Sequence, residues 1–404
     1  MRTAAIICEF NPFHSGHSNL FRLAREKGAE NILCIMSGNF VQRGEPAIAD
    51  KYTRAEIAIK AGADIVVELP MPFSSAGAEY FAKAGVYIAD RLGFADELIF
   101  GSELGDIEKL IKIADRQSGK EFLSRVNTLH KGELGYALSC LTAYEELYGK
   151  NDSLSKPNNI LAIEYLKAIK RLNSGLEYST VKRVDNYSKE SDTGEYPSAT
   201  ELRHLIMSGK EEAAFNMIPS FAKDVLCSAK DKGLFPVDMK KYGFAILSHM
   251  RMSEPDMLSD IENLSGGLQH RAVRCAGEAS SYDELLSLLA TKKYTHARLR
   301  RALLFTAIGV HHDDVLLNPY YVNLLAVSVN GKKLLSRERK NNGLPIVTKM
   351  SEKRSVISSL DDKSAEKALR MLRIESKADA LYSLCLPCIR ESGFFGKMPP
   401  YAEK

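Results

Sequence analysis

The chain has 404 residues, of which 45% are hydrophobic and 26% are charged, and its net charge at pH 7 is +4. These values are typical of a globular protein with two domains. No apolar run approaches the ~20 residues of a membrane-spanning helix. The apolar segment 4–8 is too short for a signal-peptide core and ends at Glu9. Seven scattered cysteines, an odd number, argue against a disulfide framework. We therefore expect a cytoplasmic protein.

The first hundred residues alternate between strand-like and helix-like segments. Strands are predicted at 4–8, 31–36, 65–68 and 97–100, and helices at 15–27, 50–61 and 76–92, with a glycine-containing loop before residue 45. Apolar strands that alternate with amphipathic helices are typical of a parallel sheet covered on both faces. The fold class is therefore α/β with a Rossmann-like parallel sheet, an architecture whose ligands gather at the carboxyl ends of the strands.

The rest of the chain is predicted to be mostly helical. Helices cover most of 106–172, a strand follows at 177–184, and another helix begins at Ser198. Beyond about residue 220 the pattern predicts helices, interrupted by a possible strand hairpin at 324–329 and 332–335. We place a domain boundary between residues 225 and 226, so that 1–225 form the α/β domain and 226–404 a mainly α-helical C-terminal domain.

Charge separates the two halves. Residues 201–404 carry 31 Lys and Arg residues against 24 Asp and Glu residues, whereas the first 200 carry 24 against 27. A basic C-terminal half indicates a polyanionic partner. The single CxxC pair, Cys385 and Cys388, has no second pair and no neighbouring histidine, so we predict no metal site there.

The segment FNPFHSGH (10–17) joins the first strand to the first helix. A helix start offers unpaired N–H groups and a positive dipole end, which suit a phosphate. Gly16 lets the backbone approach that ligand closely. His14 and His17 lie three residues apart and can both donate to oxygens that gain charge in a phosphoryl transition state. We predict that these two histidines are catalytic; the alternative is a plain strand–turn–helix with two surface histidines.

This HxGH pattern resembles the nucleotidyltransferase superfamily. A second segment, SATELR (198–203), looks like the superfamily's Ser-x-Thr-x-x-Arg element at the start of a late helix. On that interpretation Ser198, Thr200 and Arg203 hold the β- and γ-phosphates of ATP. The alternative is a capping box formed by Ser198 and Glu201.

Several further segments together resemble one family, the bacterial tRNA(Met) cytidine acetate ligases. They are EFNPFHSGH (9–17), MSGNFVQRGEP (36–46), ELP (68–70), FGSE (100–103), KPNNIL (156–161) and KR (182–183). The resemblance implies that acetate and ATP form acetyl-AMP, and that the acetyl group passes to N4 of the wobble cytidine of elongator tRNA(Met). It also implies ATP with Mg²⁺ carried on the nucleotide, acetate as co-substrate, and no obligate protein partner.

By the same resemblance, ATP contacts seventeen residues. They are Ile7, Cys8, Glu9, Phe10, Asn11, Pro12, Phe13, His14, Ser15, Gly16, His17, Ser18, Asn19, Leu20, Gly101, Asn159 and Arg183. For Asn159 a helix cap is the alternative role, and for Arg183 an ordinary surface charge. Gln42 and Arg43 lie in a glycine-flanked loop and are expected to close over the acetate.

Two basic clusters are candidates for tRNA binding. The first contains Lys292, Lys293, Arg298, Arg300 and Arg301, and the second contains Lys332, Lys333, Arg337, Arg339 and Lys340. Cations on helices can follow a phosphate backbone, although such runs are often ordinary solvated faces. The sequence does not distinguish the two clusters. The main alternative function is a small-molecule adenylyltransferase, which would explain the HxGH pattern but not the large basic C-terminal half.

Overall fold

The computed structural model describes residues 2–131, 135–183, 198–264, 266–291, 293–338 and 343–403. Within these residues the chain forms ten strands and a central, mostly parallel sheet. The strands are β1 (Thr3–Cys8), β2 (Asn31–Ser37), β3 (Phe40–Val41), β4 (Glu45–Pro46), β5 (Ile65–Leu69), β6 (Glu97–Ser102), β7 (Glu177–Lys182), β8 (Val322–Val327), β9 (Ile346–Val347) and β10 (Tyr401–Ala402). The order across the sheet is β10-β8-β5-β2-β1-β6-β7, and β9 pairs with β8.

Nineteen α-helices lie within the same residues. They are α1 (Ser15–Glu26), α2 (Lys51–Lys60), α3 (Ala78–Arg91), α4 (Ile107–Ser118), α5 (Lys120–Lys131), α6 (Tyr136–Tyr148), α7 (Pro157–Leu172), α8 (Ala199–Met207), α9 (Glu211–Phe215), α10 (Ser220–Asp231), α11 (Met239–Arg251), α12 (Leu268–Glu278), α13 (Tyr282–Leu289), α14 (His296–Ile308), α15 (His312–Leu316), α16 (Val329–Glu338), α17 (Met350–Ser358), α18 (Asp362–Leu384) and α19 (Phe394–Lys397). Short 3-10 helices occur at Phe73–Ser75, Asp152–Ser155 and Pro255–Leu258.

Alternating residues of β1 enter two different cores. Ala4, Ile6 and Cys8 join the core that contains α2 and the helices α10–α14, whereas Ala5 joins the core that contains α3, α4 and α7. Successive side chains of a strand point to opposite faces, so both faces of the sheet are covered. The α/β fold class predicted from the sequence is confirmed. The predicted strands and helices of the first hundred residues all occur, with ends shifted by no more than two residues.

The predicted hairpin at 324–335 is wrong. Its first half is β8, which pairs antiparallel with β5, and its second half is helix α16. Ser328 ends the strand and starts the helix, because its hydroxyl accepts the N–H of Gly331 at 3.0 Å. A Cβ at Gly331 would lie 2.0 Å from the carbonyl oxygen of Asp64, so glycine is needed where α16 starts beside β5.

The C-terminal half contributes to the main sheet as well as to the helices. β8 and β10 extend the sheet beyond β5, and α10–α14 share one core with α1 and α2. The division of the chain at residue 225 stays a prediction. No helix among the described residues is long and apolar enough to cross a membrane.

Candidate functional site

The HxGH segment lies where β1 ends and α1 begins. Phe10 leaves the strand with a φ of 49°, a left-handed conformation that is uncommon for a residue other than glycine. This turn buries the rings of Phe10 and Phe13, which pack against each other at 5.0 Å and against the ring of His17 at 5.0 and 5.3 Å. The two phenylalanines therefore form an apolar base beneath the imidazoles.

Both imidazoles are oriented by backbone amides. Nδ1 of His14 accepts the N–H of Gly16 at 3.1 Å, and Nδ1 of His17 accepts the N–H of His14 at 3.2 Å. A neutral ring whose Nδ1 accepts a hydrogen bond carries its proton on Nε2. The ring centroids are 3.9 Å apart, so the two Nε2–H groups form a pair of neighbouring donors.

The surroundings keep both rings neutral. Burial, followed by the charge of Arg183, lowers the pKa of His14 from 6.5 to about 4. Burial, then His14, then Arg183, lowers the pKa of His17 well below its ordinary value. At neutral pH each ring can therefore donate one Nε2–H bond to an anion without having to lose a proton.

Gly16 is required by the position of His14. A Cβ at residue 16 would lie 2.9 Å from Cε1 and 3.0 Å from Nδ1 of His14. Both distances are at the limit of real Cβ contacts, and the ring could move away only by breaking its bond to the Gly16 amide. The glycine thus allows the backbone to hold the imidazole in place.

Gly101 lies on β6, the strand next to β1, and Arg183 directly follows β7. Gly101 pairs with Val181 across β6 and β7, and a Cβ there would lie 3.0 Å from Cγ of Arg183. The Arg183 side chain is exposed, and its guanidinium donates to Oδ1 of Asn158 at 3.4 Å. Because its charge acts on both histidines, the structure brings this arginine to the HxGH site.

Asn159 organises the loop after β6. Its side-chain oxygen accepts the N–H of Leu104 at 3.0 Å, and its side-chain amide donates to the carbonyl of Ser153 at 3.0 Å. The carboxylate of Glu103 accepts the backbone amides of Asn158 and Asn159. Both polar groups of the Asn159 side chain are thus used within the protein.

Helix α8 reaches the HxGH segment through Arg203. The guanidinium donates to the carbonyl of Asn11 at 2.6 Å and to the hydroxyl of Thr200 at 3.2 Å. Ser198 caps the helix by accepting the N–H of Glu201 at 3.1 Å, which is one of the two hydrogen bonds of the capping box that the alternative interpretation expects. Of the three predicted phosphate ligands, Arg203 is the one whose contact with the HxGH segment (10–17) the described residues show.

The remaining predicted ATP residues divide into buried and partly exposed side chains. The buried ones are Cys8, Phe10, Asn11, Pro12 and Phe13, and the partly exposed ones are Ile7, Glu9, Ser15, Ser18, Asn19 and Leu20. Asn11 is a structural anchor, because its side-chain oxygen accepts the N–H of Ile48 at 2.8 Å.

A hairpin formed by β3 and β4, residues 40–46, covers the end of β1. One carboxylate oxygen of Glu9 accepts the N–H of Gln42 at 2.8 Å. Burial raises the pKa of Glu9, although this amide bond and the charges of Arg203 and Arg43 oppose the shift. Arg43 is exposed and forms no ion pair with any described residue. The 40–46 hairpin therefore presents a free cation beside the HxGH segment.

Arg54 is a buried residue beside the site that the sequence analysis missed. It is 1% exposed and donates to the carbonyls of Ala49 (2.9 Å), Glu9 (2.7 Å), Ser37 (3.0 Å) and Gly38. It thus joins the carboxyl ends of β1 and β2 to Gly38 and Ala49, which lie on either side of the 40–46 hairpin. A regular helical pattern at 50–61 gives no signal that its one arginine is directed inward.

A buried ionic cluster holds the base of the 40–46 hairpin. Nζ of Lys51 lies 3.1 Å from Glu68 and 2.9 Å from Asp379, which belongs to α18. Asn39 donates to Asp379 at 2.9 Å and accepts the N–H of Lys51 at 2.9 Å. Asn323 of β8 donates to Glu68 at 2.7 Å. Asn39 and Glu68 lie in segments that carried the family resemblance, but their partners Asp379 and Asn323 are more than 250 residues away.

The two basic clusters lie at different places. In the first, Gly44 of the hairpin packs on α14 so closely that a Cβ would lie 2.5 Å from the backbone nitrogen of Arg301. In the second, Lys332, Lys333 and Arg337 lie on α16, which begins beside Asp64 at the amino end of β5. The first cluster is therefore next to the HxGH site, and the second starts at the opposite edge of the sheet. Lys292, Arg339 and Lys340 lie outside the described residues.

Metal-binding and disulfide features are limited in the part of the chain that the structure describes. All seven cysteines are free thiols, including Cys385 and Cys388. The described residues contain no group of three or more His, Cys, Asp and Glu side chains that could hold a metal ion.

The first strand of the mostly parallel sheet leads into a helix start where His14 and His17 present paired Nε2–H donors, and Arg183 and Arg203 lie near them. This arrangement defines a nucleotide-binding protein of the nucleotidyltransferase class. The family model described as HIGH Nucleotidyl Transferase matches residues 1–393. A tRNA(Met) cytidine acetate ligase of Acetivibrio thermocellus is 35% identical over 97% of this chain and 98% of that protein. The corresponding ligase of Thermotoga maritima is 34% identical over 95% of this chain and 96% of that protein.

Solved structures give the same result. A crystal structure of Thermotoga maritima TmcAL bound with alpha-thio ATP superposes with a TM-score of 0.92 at 31% identity, and the match covers the whole of both chains. An apo form of that protein also matches with a TM-score of 0.92. The chain belongs to the HIGH nucleotidyl transferase family and, within it, to the tRNA(Met) cytidine acetate ligases.

Proposed function

We propose that this protein is an ATP-dependent ligase that acetylates N4 of the wobble cytidine of elongator tRNA(Met) and releases AMP and pyrophosphate. The observation that carries the proposal is the pair of neutral imidazoles, His14 and His17, each held by a backbone amide so that Nε2–H is free to donate. The family to which the chain belongs supports the same reaction.

In the first step, a carboxylate oxygen of acetate attacks the α-phosphorus of ATP. The bond from that phosphorus to the bridging oxygen of the β-phosphate breaks, so acetyl-AMP forms and pyrophosphate leaves. His14 and His17 donate to the phosphate oxygens as they gain charge, and Arg183 and Arg203 add positive charge on either side. Gln42 and the exposed Arg43, both in the 40–46 hairpin, close over the acetate. Mg²⁺ arrives on the triphosphate, where it keeps most of its waters.

In the second step, the exocyclic amine of cytidine attacks the acetyl carbon of acetyl-AMP. A C–N bond forms, the bond from the carbonyl carbon to the phosphate oxygen breaks, AMP leaves, and the nitrogen loses a proton. Activation is needed because acetate itself has no adequate leaving group. An anticodon loop suits this chemistry, because its unpaired bases expose their edges to a protein.

The structure favours α14 over α16 as the RNA-binding helix. Arg298, Arg300 and Arg301 lie on the helix that contacts the 40–46 hairpin, whereas Lys332 and Lys333 lie on the helix that starts at the far edge of the sheet. A base inserted beside acetyl-AMP must have its own phosphates within a few ångströms of the cleft. We therefore assign the tRNA contact to the first cluster, including Lys293.

Asn159 and Gly101 have supporting roles in this proposal. The amide of Asn159 is used within the protein, so any contact it makes with the nucleotide involves its main chain or the loop that it holds. Gly101 leaves room for the nucleotide beside Arg183. The division into a nucleotide domain (1–225) and an RNA-binding region (226–404) and a cytoplasmic location are part of the same proposal.

The test is product analysis with purified protein, ATP, labelled acetate and tRNA. We expect labelled N4-acetylcytidine in the RNA, and one AMP for each acetyl group transferred. His14→Asn and His17→Asn should each reduce the rate of acetyl-AMP formation at least 100-fold, the magnitude expected for a lost transition-state donor. His312→Asn is the matched control, because His312 is 61% exposed and lies on α15.

The alternative, a small-molecule adenylyltransferase, makes a different prediction. It would consume ATP with a non-RNA acceptor and leave every tRNA nucleoside unlabelled. That outcome, or AMP formation that is independent of acetate, would refute the ligase proposal.

A further inference from the structure

Arg300 of α14 forms an ion pair with Glu45 of the 40–46 hairpin. Its Nε lies 3.0 Å from Oε1 of Glu45, and the two side chains are 29% and 23% exposed. Although the distance is short, Nε of Arg300 is enclosed and makes no hydrogen bond in the described structure. The N–H is therefore not directed at the carboxylate oxygen, and the contact is electrostatic rather than a well-formed charge-assisted hydrogen bond.

The arginines beside Arg300 are also short of acceptors. Nε of Arg298 and Nε of Arg301 are enclosed and have no hydrogen-bond partner among the described residues. The guanidinium of Arg298 lies 4.9 Å from the ring centroid of Tyr294. Burial, followed by the charge of Arg298, lowers the pKa of Arg301 to about 10. Enclosed N–H donors without acceptors are costly, and on these three arginines they leave positive charge that no described carboxylate meets with a well-formed hydrogen bond.

Glu45 is surrounded by more positive charge than it neutralises. Burial lowers the pKa of Arg203, and the nearby charges of Arg43 and Arg300 lower it further. The negative charge that most opposes this shift is that of Glu45. Three arginines thus act on one another around Glu45. Glu9, the other nearby carboxylate, already faces Arg54 and the amide of Gln42. A monoanion placed at Arg300 would find an excess of cations there.

We propose that Arg300 binds a phosphodiester group of the RNA substrate at the edge of the nucleotide cleft, and that Glu45 holds the same guanidinium as an intramolecular competitor until the RNA binds. This inference rests on the proposed function, because it assumes that RNA enters beside the HxGH segment. It adds the chemical group that Arg300 recognises, the place where it binds, and the residue that it displaces.

The position of Glu45 gives this exchange a consequence for the cleft. Glu45 lies on the hairpin that carries Arg43, and Gly44 between them packs directly on the backbone of Arg300 and Arg301. When RNA binds Arg300, the ion pair between Arg300 and Glu45 is broken. The backbone contact of Gly44 with α14 remains. The hairpin therefore stays in position while its carboxylate becomes free to pair with Arg203.

The experiment compares wild type, Glu45→Gln, Arg300→Ala and the double variant. The probe is an unmodified elongator tRNA(Met) transcript, and its Kd is measured across a range of salt concentrations. Glu45→Gln removes the competing charge at nearly constant size, so we expect RNA to bind about two- to fivefold more tightly, the value of a partly exposed ion pair. Arg300→Ala should weaken binding and lower the slope of log Kd against log salt by about one.

The double variant tests whether the two residues act on each other. If Glu45 competes for Arg300, the gain from Glu45→Gln should disappear in the Arg300→Ala background. Glu146→Gln is the matched control, because it breaks an ion pair with Arg125 that is 40% and 41% exposed and lies on α5 and α6. We expect no change in RNA affinity from this control.

Three results would overturn the inference. Weaker or unchanged RNA binding by Glu45→Gln would show that Glu45 does not compete. A gain that persists in the Arg300→Ala background would show that the competition is not for Arg300. A lower KM for ATP without a change in RNA affinity would assign the site to the triphosphate. A different result would refute the proposed function itself: the wild-type protein would acetylate no RNA.

Discussion

His14 should make the free energy of unfolding fall as the pH is lowered from 7.5 to 5. Burial and Arg183 lower the pKa of this histidine from 6.5 to about 4 in the folded protein, and its side chain is 5% exposed. Between these two pKa values the unfolded chain binds a proton that the folded protein does not. The stabilisation is therefore fully present above pH 6.5 and is lost as the pH falls through about 4.

The expected size follows from this pKa difference. By linkage, His14 contributes about 3 kcal/mol to the free energy of unfolding at neutral pH, of which about 2 kcal/mol is lost on going from pH 7.5 to pH 5. His17 should add to the effect, because its pKa is also lowered well below the ordinary value. Other groups titrate in the same range, so the pH dependence of a variant relative to wild type is the informative quantity.

The assay is urea unfolding without nucleotide at pH 7.5 and pH 5, followed by circular dichroism because the chain has no tryptophan. His14→Asn keeps an oxygen that can cap α1 but cannot take up a proton. The imidazole contacts that His14→Asn lacks change the free energy of unfolding by the same amount at both pH values. We expect the difference between wild type and His14→Asn to shrink by about 2 kcal/mol at pH 5.

A direct titration provides an independent check. The chain has nine histidines, and the His14→Asn spectrum identifies the ring resonance that belongs to residue 14. An NMR pKa of 6 or above for His14, or an identical pH dependence of unfolding in wild type and His14→Asn, would refute the argument that this ring is neutral because it is buried beside Arg183.

Three further variants test the site. Gly16→Ala should reduce acetate-dependent ATP–pyrophosphate exchange about 100-fold, because its Cβ would displace the His14 ring; a loss under threefold would contradict this. Lys51→Met leaves the buried carboxylates Glu68 and Asp379 facing each other and should cost about 3–5 kcal/mol in urea unfolding. Lys109→Met, which breaks an exposed pair with Asp106, is its control and should change the unfolding free energy by less than about 1 kcal/mol. Arg183→Ala should raise the KM for ATP about tenfold and raise the pKa of His14; an unchanged pKa would place Arg183 elsewhere.

The nucleotide half was predictable because its signals are local. Each strand and helix of the first hundred residues has its own periodicity, and the HxGH turn contains its glycine, its histidines and its helix start within eight residues. The tautomers of His14 and His17 also depend on amides within the same turn. Short sequence separation lets one segment specify both the structure and the chemistry that it supports.

Contacts between distant segments were not predictable in this way. Asp379 lies 340 residues from its partner Asn39, and Asn323 lies 255 residues from Glu68. The sequence predicts helices beyond residue 220, but not that an aspartate of α18 meets a lysine of α2. The wrong hairpin at 324–335 has the same cause, since β8 is paired with β5, a strand more than 250 residues earlier.

The 40–46 hairpin shows why these distant contacts bear on function. Its base is held by Asn39 and the Lys51–Glu68–Asp379 cluster, its middle by the Glu9 carboxylate, and its tip by α14. Each attachment comes from a different part of the chain, and the hairpin lies between the proposed acyl-adenylate site and the basic helix α14. A ligase must keep acetyl-AMP away from water until the acceptor base is in place. An element fixed by both halves of the chain can meet that requirement, because neither half alone determines its position.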